Sequence, residues 1–127
     1  MPLVLHITPR NVWATSAPGG YYQPSSLASD GFIHCSTVKQ TVDTANQFYA
    51  GQSDLVLLCI DPDKAEAEVK YDAPAGAGDQ RADSLFPHIY GPLNVSAVLE
   101  VVEFAPRSDG RFELPAAISR VAAIVGD

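Results

Sequence analysis

The chain has no apolar stretch near the roughly 20 residues that a membrane-spanning helix needs, no CxxC pair, and only eight lysines and arginines against fifteen acidic residues. Each shortage excludes something. Without a long apolar run, no membrane partner is expected. With a net charge of −7 there is no broad cationic surface for a phosphate backbone, which argues against general nucleic-acid binding but leaves room for a small local anion pocket. The two cysteines, Cys35 and Cys59, sit in apolar strand-like runs without metal-ligand spacing, so they read as buried thiols rather than a disulfide or a metal pair. The first residues, Met1-Pro2-Leu3-Val4-Leu5, lack the basic segment and cleavage site of a secretory signal, and a cytoplasmic protein is expected.

What is present is enough for one domain over 1–127: 46% hydrophobic residues and 18% charged ones suit a packed globular core. Leu3 to Thr8 alternates as a strand, and Thr8 followed by Pro9 reads as an N-cap with proline at the first position of a short helix through Val12 and Trp13. Ala17 to Tyr22 is glycine-rich and reads as a loop, and Ser25 could cap one further turn ended by Gly31. Phe32 to Ser36 alternates again, with Phe32, His34 and Ser36 on one face. The apolar stripe of Val38, Thr41, Val42, Ala45, Phe48 and Tyr49, a Thr37/Gln40 capping box and the stop at Gly51 predict the clearest helix.

Leu55 to Ile60 predicts a central strand buried on both faces, and Glu66 to Tyr71 a half-exposed one whose charges form a solvated face. Residues 72–84 read as a long loop that could cover a site. Strands at Leu85–Tyr90 and Ala97–Phe104 follow, then a hairpin through Ser108-Asp109-Gly110 into Phe112 and Leu114, and a last helix from Pro115. Strands outnumber helices and mostly do not alternate with them. The expected class is therefore α+β with largely antiparallel sheets and a few flanking helices.

Histidine is scarce, with three in the chain, and each lies inside an apolar run: Leu5-His6-Ile7-Thr8, Phe32-Ile33-His34-Cys35-Ser36 and Phe86-Pro87-His88-Ile89-Tyr90. A half-buried imidazole needs a partner or a job. One reading is structural, each ring bonded to a backbone carbonyl at the edge of the core. The other is that neighbouring strands bring His6 with Thr8, His34 with Ser36, and His88 with Tyr90 around one cleft. Hydroxyls and neutral imidazoles there would recognise a sugar or phosphate, and aromatic rings would offer stacking surfaces.

Three histidines could also hold zinc, but none are i, i+2 or i, i+4 neighbours and no carboxylate adjoins them, so no metal is assigned. His34 and Cys35 point to opposite faces of a regular strand, which excludes them as a base–nucleophile couple. Trp13 is either a core anchor, the favoured reading, or a ligand-contacting lid; Tyr21 and Tyr22, in their glycine loop, read as lid residues.

With these three motifs in this order, over about residues 3–105, the chain resembles a bacterial family of uncharacterised proteins, domain of unknown function 952. Residues 106–127 add the C-terminal hairpin and helix. That family is similar in fold to the ADP-ribosyltransferases, whose split antiparallel sheets clasp NAD, and more distantly to the RNA 2′-phosphotransferases. The resemblance implies that His6, beside Thr8, holds the ribose of NAD or an ADP-ribose-like ligand. The second motif would correspond to His34 and Ser36, and by motif position alone these two are assigned to a phosphate and His88 to the acid or base role, with Tyr90 as a ligand contact.

The third motif departs from the transferase pattern, because no glutamate stands between Phe86 and Leu93. Histidine does not offset an oxocarbenium charge as a carboxylate does. A phosphotransferase-like step, on a 2′-phosphorylated RNA end for example, or nucleotide binding without turnover remains compatible. A non-catalytic interaction module and a metal-dependent hydrolase stand as the rival classes.

Overall fold

The computed structural model describes residues 2–73 and 85–125, and its elements follow the polarity pattern closely. The central layer is a four-stranded antiparallel sheet. Strand β1 (Val4–Pro9) pairs along its whole length with β5 (Leu55–Ile60), which pairs in turn with β9 (Val98–Phe104). A short β4 (Ser36–Thr37) closes the other edge beside Val4 and Leu5.

All six residues of β5 are buried, because both faces of this sheet are covered. On one face Leu5, Ile7, Leu57 and Cys59 pack under α3 (Val38–Phe48) and α4 (Ala117–Val125), whose Ala45, Ile118 and Val121 point inward. On the other, Val4, Val56, Leu58 and Ile60 meet Tyr22, Ile33, Ile89 and Leu93. Those four belong to two small antiparallel sheets. One joins β2 (Tyr21–Tyr22) to β8 (Leu93–Asn94), and the other runs β3 (Ile33–His34), β7 (Phe86–Tyr90), β6 (Glu68–Asp72). Helices, a large sheet and two small sheets thus form three layers around two apolar interfaces, an α+β architecture with antiparallel sheets. Two more short helices, α1 (Arg10–Ser16) and α2 (Ser26–Asp30), link the early strands; Pro9 rather than Thr8 stands at the N-cap of α1, and Ser25 precedes α2 without a capping hydrogen bond from its side chain.

Several expectations held in detail. Helix α3 carries the Thr37/Gln40 capping box in both directions, and α2 ends at Gly31, whose φ of +86° is the left-handed stop that glycine permits. Cys35 and Cys59 are buried free thiols; burial raises both, Cys59 to about 12.

Three expectations changed. The predicted strand Phe32–Ser36 is broken at Cys35: Ile33 and His34 pair with β7, whereas Ser36 and Thr37 cross to β1. Cys35 donates its backbone N–H to the Pro87 carbonyl at the crossing point. Tyr21 and Tyr22, read as loop and lid, form a ladder with Asn94 and Leu93, and Tyr22 is a fully buried core residue, since strand alternation turns it inward while Tyr21 stays exposed. The predicted C-terminal hairpin makes its turn, with Gly110 N–H bonded to the Arg107 carbonyl, but no second strand follows. The reason is local, since Asn46 of α3 takes the Phe112 backbone N–H at 2.7 Å and draws that segment onto the helix instead. Most of the predicted 72–84 loop, residues 74–84, lies outside the described residues. No helix among those described is long and apolar enough to cross a membrane.

Candidate functional site

The outer three-stranded sheet turns one face inward and one outward, and alternation decides which side chain goes where. Ile33 and Ile89 enter the core, so His34, His88 and Tyr90 are on the outer side of the sheet; His34 and Tyr90 are exposed there, whereas His88 is covered and only 7% exposed. His34 and His88 are direct cross-strand partners, and their ring centroids are 5.5 Å apart, edge to face. Phe32, just before β3, stacks on His88 at 4.1 Å and touches Tyr90 at 5.3 Å. From β6 come Lys70, opposite His88, and Asp72, opposite Phe86. The Lys70 ammonium sits 5.0 Å from the centre of the Tyr90 ring.

Each of these two imidazoles is oriented by a carboxylate. Asp72 Oδ2 accepts from His88 Nδ1 at 2.9 Å and from the Tyr90 hydroxyl. Asp30 Oδ2, at the end of α2, accepts from His34 Nε2 at 2.7 Å. A carboxylate can only accept, so those ring nitrogens carry the hydrogens, and His88 Nε2 and His34 Nδ1 hold lone pairs when the rings are neutral. Burial lowers His88, with partial opposition from Asp72, so it is neutral at pH 7; the Tyr90 and His88 hydrogen bonds hold Asp72 below the usual carboxylate range. The face therefore presents two tautomerically fixed imidazoles, two aromatic surfaces and a lysine. Its exposed members, His34 and Tyr90, can meet hydroxyls and flat or apolar groups, whereas His88 lies under the stacked Phe32 ring.

His6 occupies a different place. It projects from β1 into the interface between the layers, where it is 8% exposed. Its Nδ1 lies 2.6 Å from the His34 carbonyl, and its Nε2 lies 2.8 Å from the Tyr22 hydroxyl, which is also 2.8 Å from Thr8 Oγ1. A carbonyl can only accept, so Nδ1–H donates to it and Nε2 must accept. The Tyr22 hydroxyl then donates to His6, and Thr8 donates to Tyr22. This buried chain ties the backbone of β3 to β1. Desolvation holds His6 at about 4, and Tyr22 is pushed up to about 12.

Trp13 is half-buried, its ring 5.8 Å from that of Tyr22 in the same apolar interface. Ser36 is buried, its hydroxyl 2.7 Å from that of Thr41 on α3. Of the residues singled out from sequence, His34, His88 and Tyr90 share the outer face. His6 and Thr8 lie beneath it with Trp13, and Ser36 lies against the helix layer. Asp30, Asp72, Lys70 and Phe32 were not singled out as site residues; Phe32 shared the face read for His34, Asp30 stands four residues before it, and the signal for Lys70 and Asp72 was the charge–apolar alternation of β6, which looks the same for a plain solvated strand.

Beside Tyr90, at the end of the outer sheet, is an open cleft of about 490 Å³ lined by Tyr21, Gln23, Glu66, Tyr90, Gly91 and Pro92. Among the described residues, no three histidine, cysteine or acidic side chains are grouped so as to hold a metal ion.

Residues 7–101 match the family described as "Protein of unknown function (DUF952)". The chain is 30% identical to protein CC0527 from Caulobacter crescentus, whose crystal structure it matches with a TM-score of 0.76 over 94% of this chain and 98% of that one. The solution structure of CC0527 matches at 32% identity and a TM-score of 0.72, over 90% and 94% of the two chains. No curated protein matches the chain.

Proposed function

This chain belongs to the DUF952 family, and from that premise and the chemistry of its outer face we propose that it binds a ribose-bearing nucleotide, of the NAD or ADP-ribose type, across His34, His88 and Tyr90. The observation that carries this reading is the pair of facing imidazoles, each fixed in one tautomer by its own carboxylate. Vicinal ribose hydroxyls are donors, and His34 Nδ1, and His88 Nε2 once the stacked Phe32 ring moves aside, are acceptors on rings whose other nitrogens are already spent on the protein. Phe32 and Tyr90 supply ring surface, and Lys70, 3.7 Å from Glu68 Oε1, supplies a positive charge that a phosphate would have to share with that carboxylate. The motif resemblance to ADP-ribosyltransferase-like chains supports the same ligand class. His6 and Thr8 act below the face by positioning the His34 backbone, and contact no ligand.

Should the ligand turn over, the base is His88. Asp72 steadies its Nδ1–H and the imidazolium that would form after proton uptake at Nε2, the usual division of labour in a carboxylate–histidine couple. The absence of a glutamate from β7 favours proton transfer at a hydroxyl or phosphate ester over stabilisation of a ribosyl cation.

Titration calorimetry with ADP-ribose, NAD and a 2′-phosphorylated ribose tests the reading. At least one should bind the intact chain, and His88→Ala should weaken it about tenfold or more, the cost of one lost hydrogen bond to a polar ligand. If none binds, the face is not a nucleotide site and the interaction-module reading takes its place.

A further inference from the structure

His34 and His88 are cross-strand partners on the outer side of one sheet, where alternation sends side chains toward water. Their exposures nevertheless differ sharply. The His34 side chain is 57% exposed and that of His88 only 9%. What lies flat over His88, and not over His34, is Phe32. Its ring is stacked on the His88 ring at 4.1 Å and 18°, whereas it meets His34 and Tyr90 tilted, at 4.7 and 5.3 Å.

The attachment of Phe32 suits a part that moves. The ladder of β3 with β7 begins at Ile33, so Phe32 stands just outside the paired residues. On its other side is Gly31, in the left-handed turn that ends the five-residue helix α2, and a Cβ built there would meet nothing within 4 Å. Phe32 is itself half-buried, with part of its ring already in solvent. Its side chain can change rotamer above an anchored strand, with open room at the glycine before it.

The two positions of the ring have different consequences for the couple beneath. With the ring down, His88 keeps its Nδ1 hydrogen bond to Asp72, and its imidazole is almost sealed from water. With the ring aside, the same oriented imidazole meets whatever occupies the outer face. Asp72 is 37% exposed in its side chain and bonded to Tyr90 as well, so the carboxylate stays in place while the cover moves.

We propose that Phe32 is a movable cover on the His88–Asp72 couple, seated on the imidazole when the face is empty and swung off it, beside the Gly31 turn, to admit a ligand. The proposal deepens the nucleotide reading above and rests on it for the ligand that keeps the cover open; the cover itself stands on the stacking and the exposures.

Acylation by diethyl pyrocarbonate at neutral pH, read peptide by peptide by mass spectrometry, tests it on the full chain, because the three histidines serve as one another's controls. His34 is exposed, and His6 is buried with both ring nitrogens bonded. A minor open state populated at roughly 0.1–10% makes His88 react about 10- to 1,000-fold more slowly than His34 in the wild type, with His6 inert. Phe32→Ala should bring His88 to within a few-fold of His34 and leave His6 inert, and Phe32→Tyr, which keeps a ring to stack, should behave as the wild type. Circular dichroism confirms that each variant is folded. A His88 that stays slow in Phe32→Ala, that already matches His34 in the wild type, or that speeds up only together with His6 would overturn the proposal, and so would a wild-type His88 as inert as His6, which would make the ring a fixed part of the core. Repeating the reaction with saturating ADP-ribose separates the two readings. Bound nucleotide should protect His34 and His88 alike. If Phe32→Ala releases His88 but ADP-ribose protects neither residue, the cover stands and the nucleotide reading falls; if ADP-ribose protects His34 while His88 ignores Phe32→Ala, the cover falls alone.

Discussion

A neutral imidazole in an apolar interface stores a dependence on pH. His6 is held at about 4 by desolvation, against an ordinary value of 6.5, while its two nitrogens serve the His34 carbonyl and the Tyr22 hydroxyl. The folded-state value is the lower one, so between pH 6.5 and 4 the unfolded chain takes up a proton that the folded chain refuses. Stability is therefore complete above 6.5 and declines as pH falls toward 4. The expected loss over that window is about 3 kcal/mol from His6, at about 1.36 kcal/mol for each pH unit that separates the folded and unfolded values. His88, also lowered, adds to the slope in the same direction, and the depressed Asp72 acts in more acidic solution still. Urea denaturation of the wild type and His6→Gln at several pH values separates these. The variant should start less stable at pH 7 and lose markedly less on acidification. An identical slope in both proteins would show that His6 carries no such linkage.

A short element can serve two structures at once, and β4 with its following cap does so. Thr37 ends the two-residue pairing of β4 with β1 and then caps α3, accepting from the Gln40 N–H, while the Gln40 side chain accepts from the Thr37 N–H. Gln40 also donates to the Leu85 carbonyl at 2.7 Å, so the start of α3 is tied to the start of β7. Thr37→Ala should cost about 1 kcal/mol in urea unfolding with an unchanged m-value; no loss would mean that the cap is formed by other groups. The capping box was legible in the sequence because it depends on residues three apart. The broken strand before it was not. A period of two along Phe32–Ser36 tells which side chains share a face, but it carries no information on pairing partners, and here the partner changes at Cys35. For the same reason the separation of His34 from Cys35 was legible, whereas the distance of Ser36 from His34's face was not. Asp72 and Asp30 escaped because a carboxylate that orients a histidine is identified by cross-strand register or helix-end geometry, and a single sequence shows neither. His6 read identically as a ligand contact or as a buried tie, and only its place between the layers distinguishes the two.

At the scale of the whole molecule, β5 divides the interior into two apolar interfaces, and adjacent leucines report on them separately. Leu57 faces α3 and α4, while Leu58 faces Ile33 and Ile89, the residues that back His34 and His88. Both leucines are fully buried. Truncation of either to alanine should cost about 2–5 kcal/mol, since both remove the same atoms from packed surroundings. Their consequences for the outer face should differ. The cavity left by Leu58→Ala lies directly under two-residue β3 and its pairing with β7, which have few ladder bonds of their own and depend on the apolar layer to hold the imidazoles at 5.5 Å. The cavity left by Leu57→Ala opens on the helix side, with the full thickness of the central sheet between it and the histidines. Hydrogen exchange under native conditions should therefore show β3 and β7 amides opening more readily in Leu58→Ala than in Leu57→Ala at matched global stability, because weakened local packing lowers the free energy of local opening. Nucleotide affinity should follow the same order. Equal exchange at β3 and β7 in the two variants would mean that the layers are coupled as one unit, and that the outer face draws its rigidity from the entire fold rather than from the apolar layer beneath it.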